Sequence, residues 1–174
     1  MIELLEILKY ILPALVVFGT SYYIIVQFFN NEQNKNKAES LSVRQKALIP
    51  TRIQAYERIV LFLERINPDS LIFRVQEDAN TVREMQSAMF MAIRAEYEHN
   101  MSQQLYVSND AWNMVKAAKE QVIKVINLCA SEKDGDDSAL ALNTTIFDYL
   151  FKNPSPVQPA LDFIKTEMTT VFGQ

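Results

Sequence analysis

The sequence predicts an all-α protein, with one apolar N-terminal helix followed by a bundle of about five amphipathic helices. Three observations carry that expectation. A run of twenty residues near the start, YILPALVVFGTSYYIIVQFF at 10–29, holds no charged residue. From residue 48 onward, apolar residues recur at three–four spacing rather than in alternation. The 174 residues also contain only three glycines, which suits helices and argues against a glycine-rich nucleotide site.

Taken in order, residues 1–9 read as a short tail and 10–29 as a single transmembrane helix. At about 1.5 Å per residue such a helix spans the roughly 30 Å hydrocarbon core of a bilayer. A cleaved signal peptide wants a positive start, a shorter apolar stretch and a small-residue cleavage site. Here the start carries Glu3, Glu6 and only Lys9, and Val26-Gln27-Phe28-Phe29-Asn30 offers no such site. A buried core helix is usually shorter and more interrupted. Pro13 lies where the first helical N–H groups lack partners, so it costs little. Thr20 and Ser21 can bond back to the preceding turn.

Lys9 alone precedes the run, whereas Lys35, Lys37, Arg44 and Lys46 follow it closely. The positive-inside rule then places the N-terminus outside and the C-terminal part in the cytoplasm of a bacterial inner membrane. The single cysteine, Cys129, agrees with a reducing compartment, and its helical position fits a small packed hydrophobe. Residues 30–47, rich in Asn, Gln and Lys, read as a polar stalk, either a tether or a helical continuation.

The bundle domain is expected over 48–174. Pro50 opens a helix whose stripe is Ile53, Tyr56, Val60, Leu63 and Ile66, widened by Ile59 and Phe62. Asn67-Pro68 stops it, and Asp69-Ser70 recaps a short apolar piece. Asn80 caps a long helix with Val82, Met89, Phe90, Ile93, Tyr97, Met101 and Leu105 on one face. Ser108 or Asn109 starts the next, with Ala111, Val115, Ala118, Val122, Ile126 and Cys129 in a narrow arc. An acidic loop follows at 131–137. Asp137 or Ser138 then caps a helix carrying Leu142, Ile146, Phe147 and Leu150. After the Pro-rich break at 153–159, Val157, Leu161, Ile164, Met168 and Phe172 share a face.

Chemistry-bearing motifs are scarce. Glu96 and His99 have the Glu-x-x-His spacing of di-iron bundles, but such sites need the motif twice, and His99 is the sole histidine. Zinc needs several Cys or His ligands. No phosphate loop or nucleophile elbow is present, and the acidic loop lacks the ordered positions of a calcium loop. No catalytic, cofactor-binding or metal-binding residue is therefore assigned, and no cofactor is expected.

Charge divides along the chain. Over 30–65, seven bases outweigh four acids, and from there to the end nine bases meet fifteen acids. That pattern disfavours nucleic acid as a partner. Two stretches carry more apolar surface than one core contact needs, Arg52 to Ile66 and Met101 to Trp112. Tyr56, Leu61, Phe62, Tyr106 and Trp112 are the candidate interaction residues, beside the simpler reading that they pack the core.

The strings IPTRIQAYERIVLFLERINP and EYEHNMSQQLYVSNDAW, with the N-terminal run, resemble a family of small single-pass membrane proteins of Bacteroidetes-type bacteria. That family is known only as a domain of unknown function, and the resemblance implies a membrane setting and no chemistry. The expected function is a non-enzymatic, membrane-anchored helical interaction or scaffold module, or an accessory subunit of a membrane complex. Its partners would be the lipid bilayer and an unknown protein, with homo-oligomerisation possible. The alternatives are a self-assembling structural protein and an enzyme near the membrane surface using Glu96 and His99.

Overall fold

The computed structural model describes the backbone of residues 2–172 and the side chains of 15–29, 32, 47–77 and 79–171. Among the described residues it has six α-helices and two 3₁₀ turns and no strand. The chain falls into two compact units that divide between Ile49 and Pro50.

The first unit holds the start of α1, Ile2–Ile66. Its backbone is helical across the expected tail, apolar run and stalk alike, so the absence of Gly and Pro from 30–47 outweighs the Asn content. The side chains of 15–29 are exposed, and the Thr20 hydroxyl donates back to the carbonyls of Val16 and Val17 at 2.9 and 3.0 Å. Tyr10 and Pro13 lie outside the described side chains, as does most of the stalk.

The expected membrane placement is corrected here. Among the described residues no helix is long and apolar enough to cross a membrane. The inner-membrane location falls with the span, and so does the topology with an outside N-terminus and a cytoplasmic bundle.

The second unit begins inside α1. Pro50, expected at a first helical position, instead sits within this helix, where its missing N–H costs one backbone hydrogen bond. Beyond it Tyr56, Ile59, Phe62, Leu63 and Ile66 are buried as the stripe predicts. Helix α2, Pro68–Val75, starts with Pro68 in its first turn and buries Leu71, Ile72 and Val75. Helix α3 is Val82–Asn100, α4 is Asn109–Ser131, α5 is Ala139–Lys152 and α6 is Gln158–Phe172. Helix α4 packs against α3, α5 and α6, while α2 packs against α3 and α5. All six arc residues of α4, from Ala111 to Cys129, are buried, as are Leu142, Ile146, Val157, Leu161 and Ile164. The side chain of Phe172 lies outside the described residues.

Two boundaries differ from the sequence reading for local reasons. The N-cap of α3 is Thr81 rather than Asn80. Its hydroxyl accepts from the Glu84 N–H at 3.2 Å, while the Glu84 carboxylate accepts from the N–H groups of Thr81 and Asn80 at 3.2 and 2.9 Å. This is a capping box, and it satisfies donors that a helix start leaves orphaned. At the other end α3 stops at Asn100, whose side-chain amide donates to the Glu96 carbonyl at 2.8 Å. The chain turns into a 3₁₀ segment, Met101–Leu105, and Met101 and Leu105 leave the stripe for solvent.

The starts of α3 and α5 are clasped together. The N–H groups of Val82 and Arg83 donate to the carbonyls of Asp137 and Gly135 at 2.9 and 3.0 Å, and Ala139 N–H donates to the Asn80 carbonyl at 2.9 Å. Thr81 and Ser138 form an isolated antiparallel bridge. Each helix start thus draws acceptors from the segment leading into the other.

Candidate functional site

Glu96 and His99, three residues apart on α3, share the side of that helix facing α1 and α2. There they meet arginines rather than a metal. Glu96 Oε1 accepts a hydrogen bond from Arg74 Nη2 at 3.0 Å and forms an ion pair with Arg65, whose Nε lies 3.1 Å away, and its side chain is only 12% exposed. Arg74 also donates to the Arg65 carbonyl at 3.1 Å. His99 Nε2 lies 2.9 Å from Arg58 Nη2. Arg58, Leu61, Phe62, Arg65, Glu96, His99 and Asn100 border a pocket of about 140 Å³. One carboxylate therefore knits three helices together. Among the described residues no group of three or more His, Cys, Asp or Glu side chains is placed to hold a metal ion.

A second polar cluster is one the sequence reading missed. The Tyr56 hydroxyl donates to Glu167 Oε1, and Ser108 Oγ donates to Glu167 Oε2 at 2.7 Å. Ser108 Oγ in turn accepts from Ala111 N–H at 3.0 Å as the N-cap of α4. Burial pushes the Tyr56 phenol up to about 12, helped by the hydrogen bond to Glu167 and its negative charge, with Arg52 pulling the other way. The available signal was Glu167 itself, an acid set between Ile164 and Met168 on a core-facing helix.

Of the five expected interaction residues, the structure buries Tyr56, Phe62 and Trp112, and leaves Leu61 60% exposed and Tyr106 36%. Trp112 stacks on Tyr97 with ring centres 5.7 Å apart, and Phe62 meets the same ring at 6.1 Å. Lys119 Nζ sits 4.4 Å from the centre of the Tyr97 ring. These rings tie α1, α3 and α4 into one core. Beside them, a cleft of about 460 Å³ is lined by Phe90, Ile93, Tyr97 and Ile123 and edged by Arg94, Glu98 and Lys119.

Cys129 is buried, and burial followed by the charge of Glu132 pushes its thiol up, which keeps it protonated and unreactive. In the acidic loop, Asp137 and Asp134 accept from the backbone N–H groups of Asp134 and Asp136 at 3.0 and 3.1 Å. Arg83 lies 3.5 Å from Asp136.

The largest departure from expectation is an aromatic face shared by α2 and α5. Phe73 is 67% exposed, Leu140 69% and Phe151 93%, and Phe147 is also exposed rather than in the core stripe. On α5, Leu140, Phe147 and Phe151 recur at seven and four residues, one side of a helix. Phe73 reaches Phe147 with ring centres 6.1 Å apart. A shallow hollow at this face is lined by Phe147, Leu150 and Phe151 together with two acids, Asp69 and Asp148.

A model of a protein family described as a family of unknown function, DUF7935, matches residues 2–171 of this chain. No curated protein and no solved structure matches it.

Proposed function

We propose that the chain, which belongs to that family, is a non-enzymatic helical interaction module, a scaffold or accessory subunit that works by holding a protein partner. The aromatic face carries the reading. Phe73 of α2 meets Phe147 of α5, and Leu140 and Phe151 stand exposed on the same side of α5. Contiguous apolar surface of this kind marks association sites. Covering a phenylalanine ring contributes about 1.5–3 kcal/mol, so a few rings supply much of the energy of a specific complex.

Asp69 and Asp148 line the hollow. Like charges at that rim repel, so the matching partner is a segment with apolar anchors flanked by Lys or Arg. The non-enzymatic part is supported by the fate of the one acid–base pair in the sequence, since Glu96 and His99 are engaged by arginines.

The test is a photo-crosslinking residue placed at Leu140 in cells that make the protein, with a control at the exposed Gln121. The expected product is a crosslink to one protein through a peptide of apolar and basic residues. Binding of that purified protein should fall about tenfold or more in Phe151→Ala. Crosslinks no more frequent than at Gln121 would refute the reading. Crosslinks only to a second copy of the chain would replace it with self-assembly.

A further inference from the structure

The arginines around Glu96 exceed the carboxylate they share. Arg58, Arg65 and Arg74 bring three positive charges to a cluster in which, among the described residues, Glu96 is the acid that pairs with them. Arg65 approaches Glu96 through its Nε, and among the described residues its two Nη groups make no hydrogen bond. Arg58 meets a histidine ring nitrogen instead of a carboxylate. Arg58 and Arg65 stand seven residues apart on α1, so they project from the same side of the helix, with Leu61 between them.

Arg58 and Arg65 both line the pocket of about 140 Å³, together with Glu96 and His99. From these observations we propose that the pocket binds a dianionic phosphoryl group, held by the Arg58 and Arg65 guanidiniums.

The chemistry favours this class over a lone carboxylate. A guanidinium presents paired N–H donors that match two oxygens of a phosphate, and a second guanidinium serves the remaining oxygens. A dianion also balances the two charges that Glu96 leaves over. Glu96 has a positioning role, anchoring Arg65 and Arg74 so that the Arg65 fork is held in place. Leu61, exposed at the pocket edge, offers contact to the organic body of a phosphate monoester. The phosphoryl group can therefore come from free phosphate or from a small monoester, and the two sources separate experimentally.

The experiment follows the arginine Nε–Hε NMR signals of the full chain during titration with inorganic phosphate or phenyl phosphate, against chloride at equal ionic strength. Saturable shifts of Arg58 and Arg65 with either phosphate, and none with chloride, are the expected result. Tighter binding of phenyl phosphate identifies a monoester site, and equal binding identifies free phosphate. Arg58→Gln should weaken binding about tenfold or more without moving the thermal midpoint. Lys165→Gln, which removes one exposed charge on α6, should leave binding within about twofold.

No saturable shift with either phosphate overturns the proposal. So does an equal loss in the two variants, which would mean a diffuse charge effect. The Arg65→Lys variant covers the case in which Arg58→Gln fails to fold. It keeps the charge and loses the fork, and unchanged phosphate affinity in it likewise overturns the proposal.

Discussion

Replacing Tyr56 by phenylalanine removes one hydroxyl and leaves the ring in a fully buried position. Near neutral pH the loss is a hydrogen bond to a charged acceptor, Glu167, worth about 1.5–3 kcal/mol. The more discriminating consequence lies in alkaline solution. The folded phenol titrates at about 12, against an ordinary value of 10.0. Below about pH 10 both the folded and unfolded chains carry the proton, and the contribution of the phenol to stability is fully present. Between about 10 and 12 the unfolded chain releases the proton while the folded chain keeps it, so stability falls as pH rises. At about 1.4 kcal/mol per unit, the two-unit gap sets an upper bound of about 2–3 kcal/mol on that fall.

Urea unfolding of the wild type and Tyr56→Phe, followed by circular dichroism at steps between pH 8 and 12, measures both quantities. Lysines and the other tyrosines titrate in both proteins and cancel in the difference. The gap between the two should be full at pH 8–9 and close almost completely by pH 12. Two stability curves that run parallel across this range would refute the argument, because the phenol would then titrate alike in both states.

Other consequences are simpler to check. Thr81→Ala removes the hydroxyl half of the capping box and should lower stability by about 1 kcal/mol in chemical denaturation. Backbone N–H bonds from Asn80 and Thr81 hold the Glu84 carboxyl below its ordinary value. Its contribution is therefore present above about pH 4.5 and lost as pH falls through the lower folded value, and Glu84→Gln should flatten that part of the acid profile. Met89→Ala empties a fully buried site and should cost about 2–5 kcal/mol, whereas Leu61→Ala should stay within about 0.5 kcal/mol. Gly135→Ala should be nearly neutral by thermal melting. Its backbone is not in the left-handed region, and the added methyl would meet only the mobile end of Arg83, at 2.8 Å.

What the sequence revealed follows from which interactions are local. The arc from Ala111 to Cys129 is legible because a single helix with one covered face writes its period directly into the chain. Ser108 and Ser138 are legible as caps by the same token, since each serves an N–H two or three residues away. The Thr81–Glu84 box was equally readable, and Asn80 displaced it only as a plausible neighbour.

The fate of Phe147 was not readable in this way. Ile146 beside it is buried, and nothing in a helical period says which flank of a broad apolar stripe a neighbour will cover. The Glu96 cluster draws arginines from two other helices, and Glu167 meets a tyrosine more than a hundred residues earlier. Periodicity shows that such groups lie near a core edge without saying what they face. The apolar stretch ending at Trp112 left core packing and an interaction surface both open; the structure packs the Trp112 ring in the core, and exposed rings come from α2 and α5.

The clasp between the starts of α3 and α5 has a consequence for the order in which this bundle is made. It joins points 52 to 59 residues apart, so a long loop containing all of α3 and α4 must close before any of its three backbone bonds can form. During synthesis the first turn of α3 emerges with its capping box ready but without the carbonyls of Gly135 and Asp137. It stays frayed until the segment leading into α5 leaves the ribosome. The amide protons of Val82, Arg83 and Ala139 should therefore become protected together and late during refolding. A chain ending at Ser131 should carry an α3 whose first turn exchanges freely, however well the rest of that helix is packed.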